Sequence, residues 1–131
     1  MIIRDLFNGK KSFREFLESP EKISTSVLAN RLQLLERAGI AQHILSIKDK
    51  KVKWYYLTDR GIDIFPILYE MIHWSKRNLD DEFHPLSKEW FKKYESWTPE
   101  QTITENQKKY KEKREEPVSY THLTLPTILL V

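Results

Sequence analysis

The sequence contains no cysteine and only three glycines among its 131 residues. Without cysteine, this chain has no disulfide framework, no thiolate metal site and no thiol that could sense oxidants. The few glycines do not form a glycine-rich loop of the kind that holds a phosphate group. The length is that of one domain, so a large catalytic fold is excluded as well.

A signal peptide and a long apolar run are also absent. Met1 to Ile3 are followed at once by Arg4 and Asp5, which leaves no apolar segment of secretory length. The longest uncharged stretch, residues 117–131, is too short and too rich in threonine and proline to span a bilayer. We therefore expect a cytoplasmic protein that does not contact a membrane.

The net charge of +3 hides an uneven distribution along the chain. Residues 1–79 carry 14 lysines and arginines against nine acidic residues, whereas residues 80–116 carry eight against ten. Residues 117–131 carry no charge. The basic excess thus lies in the N-terminal two thirds, and the tail has a different composition from the rest.

Local signals predict a helix-turn-helix near the N-terminus. Apolar residues at helical spacing over residues 2–7 end at Asn8-Gly9, and Ser12 with Glu15 has the form of a capping box. After a loop, Ser24 is a suitable N-cap for a helix that runs to about residue 38 and is closed by Gly39. Two helices joined by a turn indicate this motif.

A hairpin and further helices are predicted after it. Residues 41–47 and 52–57 are rich in β-branched and aromatic residues and flank a polar, basic tip. Thr58 then caps a long helix over residues 59–78, with a kink expected at Pro66. Residues 87–97 and 99–115 indicate one or two more helices. The expected fold class is α+β, mainly α: a winged helix-turn-helix with a two-stranded β-wing and a long C-terminal helix.

The helix over residues 24–38 divides into an apolar and a polar side. The predicted apolar arc consists of Val27, Leu28, Leu32, Leu34, Leu35 and Ala38. The opposite arc carries small or hydrogen-bonding side chains, which suit base edges because asparagine and glutamine can pair with adenine and arginine with guanine. An ordinary polar surface is the competing interpretation. The candidate DNA-binding residues here are Ser24, Thr25, Ser26, Asn30, Gln33 and Arg37.

Five further cations complete the candidate surface. Arg31 falls within the apolar arc, so it forms either a structural ion pair or a contact to a phosphate. The hairpin tip places four cations against the single Asp49, where a β-wing could follow a sugar-phosphate strand. These candidates are Lys48, Lys50, Lys51 and Lys53. A lysine-rich turn alone is usually a solvated loop, but its position after a helix-turn-helix favours DNA binding.

The sequence offers little for enzyme chemistry. The four histidines, His43, His73, His84 and His122, show neither HxxxH nor HExxH spacing, and there is no cysteine to complete a metal site. Asp59 and Asp63 favour the start of a helix more than they suggest an acid/base pair. We expect no enzyme, no cofactor and no metal; a deep pocket lined by titratable groups would revive the enzyme hypothesis.

The motifs in residues 1–79 resemble those of HxlR-type winged helix-turn-helix transcriptional regulators of bacteria, which are related to the MarR-like regulators. The corresponding segments are RDL, GKKSFREF, ISTSVLANRLQLLERAGI and YYLTDRG, with a final tryptophan, Trp74. The resemblance implies a homodimeric regulator that binds double-stranded DNA. We expect a DNA-binding domain over residues 1–79 and a helical extension over residues 80–116.

Two departures from the family pattern concern the ends of the sequence. Members usually have a further helix and a GGKW segment before the RDL motif, often with a cysteine that senses oxidants or electrophiles. Because this segment is absent here, we expect an N-terminally truncated sequence. Residues 117–131 contain VSYTHLTLPT, which resembles translated cloning sequence, so we expect an artefactual or disordered tail.

The long helix suggests a dimer interface. It has more apolar positions than a small winged domain covers from one side, and palindromic operators are read by two-fold dimers. The candidate interface residues are Phe65, Leu68, Ile72 and Trp74. A winged-helix module that binds protein instead of DNA is the alternative function, and burial of the polar arc against residues 80–115 would favour it. The effector, the operator and the direction of regulation do not follow from the sequence.

Overall fold

The computed structural model describes residues 2–19, 21–79 and 85–115. Its elements follow the predicted order of helices, hairpin and further helices, and the predicted mainly helical fold with a two-stranded antiparallel sheet is confirmed. The elements are α1 (Ile2–Phe7), α2 (Phe13–Leu17), α3 (Thr25–Arg37), β1 (Ala41–Leu45), β2 (Lys53–Leu57), α4 (Asp59–Ile62), α5 (Phe65–Asn78), α6 (Pro85–Lys93) and α7 (Pro99–Glu115).

Side-chain caps determine where three of the helices begin. The Ser12 hydroxyl accepts a hydrogen bond from the Glu15 amide while the Glu15 carboxylate accepts one from the Ser12 amide, which confirms the predicted capping box. Ser24 accepts from the Val27 amide at the start of α3, and Thr58 caps α4. Such caps satisfy amides that the helix itself leaves unpaired.

The core joins α1, α2, α3, the hairpin and α4. Leu28 and Leu32 of α3 are almost fully buried and lie in one cluster with residues of the other elements. The cluster consists of Ile2, Leu6, Phe16, Leu28, Leu32, Ala41, Tyr55, Leu57 and Ile62. Burial of these side chains removes apolar surface from water and holds α3 against the hairpin. The other side of α3 is thereby turned outward.

Gly61 lies inside α4, where it packs closely against the chain before β1. A Cβ atom at this position would lie 2.2 Å from the Ile40 carbonyl oxygen, so only glycine permits this approach of α4 to the start of β1. Gly39, in contrast, has a positive φ of 73° and ends α3 as predicted.

Two predictions about the helices need correction. The helix expected over residues 59–78 is two helices, because the chain turns at Asp63 and Ile64 and Pro66 occupies the first turn of α5, where its missing amide hydrogen costs no hydrogen bond. The apolar arc of α3 is narrower than expected: Leu34 is 58% exposed, and Val27 and Ala38 are also exposed. Only Leu28, Leu32 and the half-buried Leu35 face the core.

The helix α7 returns to the end of strand β2. The Leu57 amide donates to the Tyr110 hydroxyl at 2.8 Å, and the Leu57 carbonyl accepts from Arg114 Nη1 at 3.0 Å. Gln107 Nε2 donates to the Ile62 carbonyl at 3.1 Å, and the Tyr110 ring packs edge-on against Phe7. Residues 99–115, expected to belong to a separate extension, therefore pack against α1, β2 and α4.

Candidate nucleic-acid interface

The seven candidate DNA-binding residues on α3 and at its N-cap are all exposed. They lie on the exposed part of α3 and at its N-cap, whereas Leu28 and Leu32 of the same helix are buried. Among the described residues, the side chains of Asn30, Gln33 and Arg37 make no hydrogen bond or ion pair. Their donors and acceptors are therefore available to a ligand. We call Ser24, Thr25, Ser26, Asn30, Arg31, Gln33 and Arg37 the α3 outer face.

Arg31 resolves one of the open alternatives from the sequence. It is exposed, and within the described part of the chain it has no ion pair. The structural ion pair considered for it is therefore absent there, which leaves its guanidinium group free to reach a phosphate. The polar arc of α3 is exposed and is not covered by the described residues 85–115. Burial of this arc, which would have favoured a protein-binding module, is therefore not observed among the described residues.

Two contacts hold the C-terminal end of α3 in place. At its C-terminus, Arg60 Nη1 donates to the Ala38 carbonyl at 2.9 Å. On its flank, Glu36 accepts a hydrogen bond from His43 of β1, with a Glu36 Oε2 to His43 Nδ1 distance of 2.9 Å. The sequence analysis did not identify either contact, since each joins residues on different elements. Together they fix the end of α3 relative to β1 and α4.

The basic wing consists of the turn between β1 and β2 and the start of β2. Strands β1 and β2 pair in antiparallel register from Ala41 opposite Leu57 to Leu45 opposite Lys53. The turn is held by the Asp49 carboxylate, which accepts from the Lys51 amide at 3.0 Å. The four lysines at positions 48, 50, 51 and 53 are exposed. We call Lys48, Lys50, Lys51 and Lys53 the wing lysines.

A groove of about 620 Å³ lies between α2, α3 and the wing. Gln33 of the α3 outer face and the wing lysines Lys51 and Lys53 all line it, so it connects the two predicted parts of the surface. Arg14 of α2 is exposed and also lines it, although the sequence analysis did not select this residue. A cation on the first helix of a helix-turn-helix is the signal that could have identified it.

Burial shifts the pKa of one titratable group in this groove, the Tyr55 hydroxyl. Burial, with a smaller contribution from the Glu36 carboxylate, raises the pKa of Tyr55 above its usual value of 10.0. The shift favours the neutral phenol, which can donate a hydrogen bond.

The candidate dimer residues divide between the core and the surface. Phe65 is buried inside the chain, with its ring centroid 5.1 Å from that of Phe7, so its side chain is not exposed for a partner as predicted. Leu68 and Ile72 are half-buried, and Trp74 is 53% exposed. Ile67 and Met71, which are not among the candidate interface residues, lie on the same helix and are each 60% exposed.

The described residues provide no site for metal chemistry and no membrane span. They contain no group of three or more histidine, aspartate or glutamate side chains that could hold a metal ion. His84 and His122 lie outside the described residues. In the described part of the chain, every helix is too short or too polar to cross a membrane. The tail over residues 117–131 also lies outside the described part, and its predicted character stays a prediction.

Comparison with known proteins identifies relatives of the N-terminal part. YvaP of Bacillus subtilis, named an HTH-type transcriptional regulator, is 31% identical over 83 residues, which are 63% of this chain and 77% of YvaP. YodB of the same organism, an HTH-type transcriptional regulator, is 32% identical over 75 residues, or 57% of this chain and 67% of YodB. These relatives are transcriptional regulators rather than enzymes, in agreement with the prediction.

Solved structures agree with this relationship. PA1607, described as a candidate transcription factor, superposes with a TM-score of 0.56 at 32% identity over 63% of this chain. This match spans only 58% of the PA1607 chain. The reduced form of YodB superposes with a TM-score of 0.50 at 31% identity, over 63% of this chain and 80% of YodB. Residues 1–83 match the profile of the HxlR-like helix-turn-helix proteins, and the chain belongs to this family of transcriptional regulators.

Proposed function

We propose that the chain binds double-stranded DNA with the α3 outer face in the major groove and the wing lysines on the sugar-phosphate backbone. The observation that carries this proposal is the exposure of all seven outer-face residues on a helix whose opposite side is anchored in the core. A helix held in this way can present side chains to base edges without losing its own packing. Membership of a regulator family supports the same function.

The residue types suggest separate roles for the two parts of the surface. Asn30 and Gln33 suit adenine and Arg37 suits guanine, because their donor and acceptor patterns match these bases in the major groove. Arg31 and the wing lysines suit phosphates, which fix the position of the protein but carry no sequence information. Base contacts should therefore set the preferred sequence, and the wing should set much of the dependence on salt.

The wing assignment can be tested by removing the four wing lysines. A variant with all four changed to glutamine should bind every DNA sequence more weakly and show a flatter dependence of the logarithm of affinity on that of the salt concentration. The matched control changes the exposed lysines Lys88, Lys92, Lys111 and Lys113 to glutamine, which alters the net charge by the same amount. Equal salt slopes for the two variants, measured by fluorescence anisotropy, would contradict the assignment.

We infer that two copies associate through the exposed side of α5. Trp74, Ile67 and Met71 form an apolar surface on one helix, and in an intact dimer they would cover one another across a two-fold axis. Such symmetry would place two recognition helices on neighbouring half-sites of a palindromic operator. Leu68 and Ile72 would border this contact, whereas the buried Phe65 would support it from inside the chain.

The association can be tested by sedimentation equilibrium. A charge at position 74, introduced as Trp74→Glu, should shift the chain toward the monomer because it places a carboxylate in an apolar contact. Leu45→Glu is the control, since Leu45 is also an exposed apolar residue but lies on the wing. A wild-type chain that remains monomeric at all concentrations, or equal behaviour of the two variants, would reject this interface.

A further inference from the structure

The turn between α2 and α3 contains a lysine in a backbone conformation that favours glycine. Lys22 has a φ of 49°, and among the described residues it is the only one other than glycine with a positive φ. In this left-handed region a Cβ atom lies too close to the following carbonyl oxygen, which destabilises any residue with a side chain. The Lys22 amide donates to the Ser19 carbonyl at 3.0 Å, and glycine could form the same turn. The turn alone therefore does not explain the lysine.

The position of Lys22 brings its charge close to the α3 outer face. Lys22 lies two residues before Ser24, the N-cap of α3 and the first residue of that face. Because consecutive Cα atoms are about 3.8 Å apart, the Cα atoms of these two residues are separated by no more than about 7 Å. The Lys22 side chain is exposed. Its ammonium group is therefore within reach of a phosphate beside the first turn of α3.

The acidic neighbour of Lys22 is paired with other residues. Glu21 Oε1 lies 2.7 Å from Arg4 Nη2 of α1, and Glu21 Oε2 accepts a hydrogen bond from the Ser19 hydroxyl. The Ser19 bond first, and the Arg4 contact after it, lower the pKa of Glu21 from its usual value of 4.5 to about 2, although burial opposes this shift. The carboxylate is thus ionised and its charge is compensated by Arg4. Among the described residues, Lys22 makes no ion pair or side-chain hydrogen bond.

We propose that Lys22 binds a DNA phosphate beside α3, and that Arg4 is a positioning residue that keeps Lys22 free by holding the Glu21 carboxylate. This inference rests on the proposed function and adds a phosphate contact to those of Arg31 and the wing lysines. The left-handed backbone makes lysine less stable than glycine at this position, whereas the charge gains a partner only when DNA is bound. Strain in the free chain is therefore offset in the complex.

Lys22→Gly should change stability and DNA affinity in opposite directions. Glycine relieves the left-handed backbone, so the thermal midpoint of the whole chain should rise by about 2 to 4 °C. Loss of the charge should lower the affinity for a selected DNA fragment about fivefold and reduce the slope of its salt dependence by about 1, as measured by fluorescence anisotropy. Lys22→Gln should lower affinity equally without raising the midpoint, and Lys22→Arg should keep the affinity. Wild-type affinity and salt slope in Lys22→Gly would overturn the proposal.

The role of Arg4 is tested by a rescue experiment. Arg4→Gln leaves the Glu21 carboxylate ionised and uncompensated, so it competes with phosphate for Lys22 and DNA affinity should fall about threefold to fivefold. The double variant Arg4→Gln with Glu21→Gln removes the competing carboxylate and should restore wild-type affinity. Both variants lose the contact of Arg4 with the buried Asp5, which is 3.2 Å long, so their folding effects are matched. Equal affinity losses in the two variants would show that Arg4 is only structural.

A charge-matched control separates a direct contact from a general effect of net charge. Lys108→Gln removes one exposed charge on α7 and should leave DNA affinity and salt slope unchanged. Equal losses in Lys108→Gln and Lys22→Gln would overturn the contact. If the wild-type chain binds no DNA, the proposed function and this inference both fail. If it binds DNA and responds to loss of the wing lysines but not to loss of Lys22, only this inference fails.

Discussion

The helices α3 and α7 are both polar on their exposed surfaces, yet their polar side chains have different partners. Among the described residues, Asn30 and Gln33 of α3 contact no hydrogen-bonding group. On α7, Tyr110 and Arg114 reach the backbone of Leu57 at distances of 2.8 Å and 3.0 Å. Polarity alone therefore does not identify a binding surface.

The difference follows from what each helix lies against. In the described part of the chain the sheet has two strands, and on the outer edge of β2 the Tyr55 amide donates to the Lys11 carbonyl at 2.7 Å, while no further strand lies beside Leu57. The α7 side chains satisfy both backbone groups of Leu57 and so replace a neighbouring strand at this point. Among the described residues, Asn30, Gln33 and Arg37 of the α3 outer face bond no backbone group, so their side chains are available for a ligand. We therefore propose that α7 supports the base of the wing and that α3 binds.

Among the substitutions on α7, loss of the Tyr110 side chain should produce the largest loss of stability. Tyr110→Ala removes a ring that packs on the core beside Phe7 and leaves the Leu57 amide without its partner. We expect the free energy of unfolding to fall by about 2 to 4 kcal/mol. Urea denaturation followed by circular dichroism measures it, and Lys111→Ala is the exposed control on the same helix.

Tyr110→Phe separates the two contributions, since it keeps the ring and removes only the hydroxyl. Its effect should be about 1 to 2 kcal/mol, the cost of an unpaired backbone amide. If Tyr110→Ala is no more destabilising than Lys111→Ala, then α7 does not support the domain and the contrast with α3 is lost.

Substitution of Arg114 should have the next largest effect. Its Nη1 bonds the Leu57 carbonyl and its Nη2 lies 2.9 Å from Asp59 Oδ1, while the side chain is only 11% exposed. Arg114→Met keeps much of the apolar packing and removes these bonds, so we expect a loss of about 1 to 2 kcal/mol in thermal or urea unfolding. Lys113→Met, at an exposed neighbouring position, is the comparison, and an equal loss in both would argue against a specific role for Arg114.

In contrast to the α7 contacts, substitutions on the α3 outer face should have little effect on the free energy of unfolding. Asn30→Ala and Gln33→Ala remove exposed side chains without partners in the described structure, so each should change the free energy of unfolding by less than about 0.5 kcal/mol. Leu28→Ala, on the buried side of the same helix, should cost about 3 kcal/mol or more. A large destabilisation by Asn30→Ala would mean that the outer face has a structural role.

The smallest expected effect is a pH dependence that arises at His73. Burial, together with the positive charges of Lys76 and Arg77, lowers its pKa below 6.5, and Glu70 opposes this shift. Because the unfolded chain then binds the proton more readily, stability is complete above pH 6.5 and falls as the pH drops through 6.5 toward the lowered pKa. His73→Phe should remove this part of the dependence, as measured by urea unfolding between pH 7 and about pH 5. An unchanged pH profile in the variant would contradict it.

Local features of this chain could be predicted from the sequence, while long-range contacts could not. The caps at Ser12, Ser24 and Thr58 and the hairpin follow from residue types within a few positions of one another. The contact of Tyr110 with Leu57 joins residues 53 positions apart, and no periodic pattern encodes it. The burial of Phe65 likewise depends on Phe7, which belongs to another element.

The same distinction holds for the candidate site. Most of the α3 outer face could be selected from the sequence, because its residue types differ from those of the buried side of the helix, whereas Arg31 was assigned to the apolar arc and is exposed in the structure. The groove was not found, since its walls come from α2, α3 and β2 and meet only in the folded chain. Arg14 and Glu36 were not selected from the sequence for the same reason, because they line one groove only in the folded chain.

The central claim, that the α3 outer face reads bases, is tested most directly by the sequence preference of its variants. DNA fragments bound by the wild-type chain and by Asn30→Ala, Gln33→Ala and Arg37→Ala are selected from a random-sequence pool and sequenced. Each variant should relax the preference at one position of each half-site and lose about 1 to 3 kcal/mol of affinity for the wild-type sequence. Identical preferences for all three variants and the wild type would contradict the account.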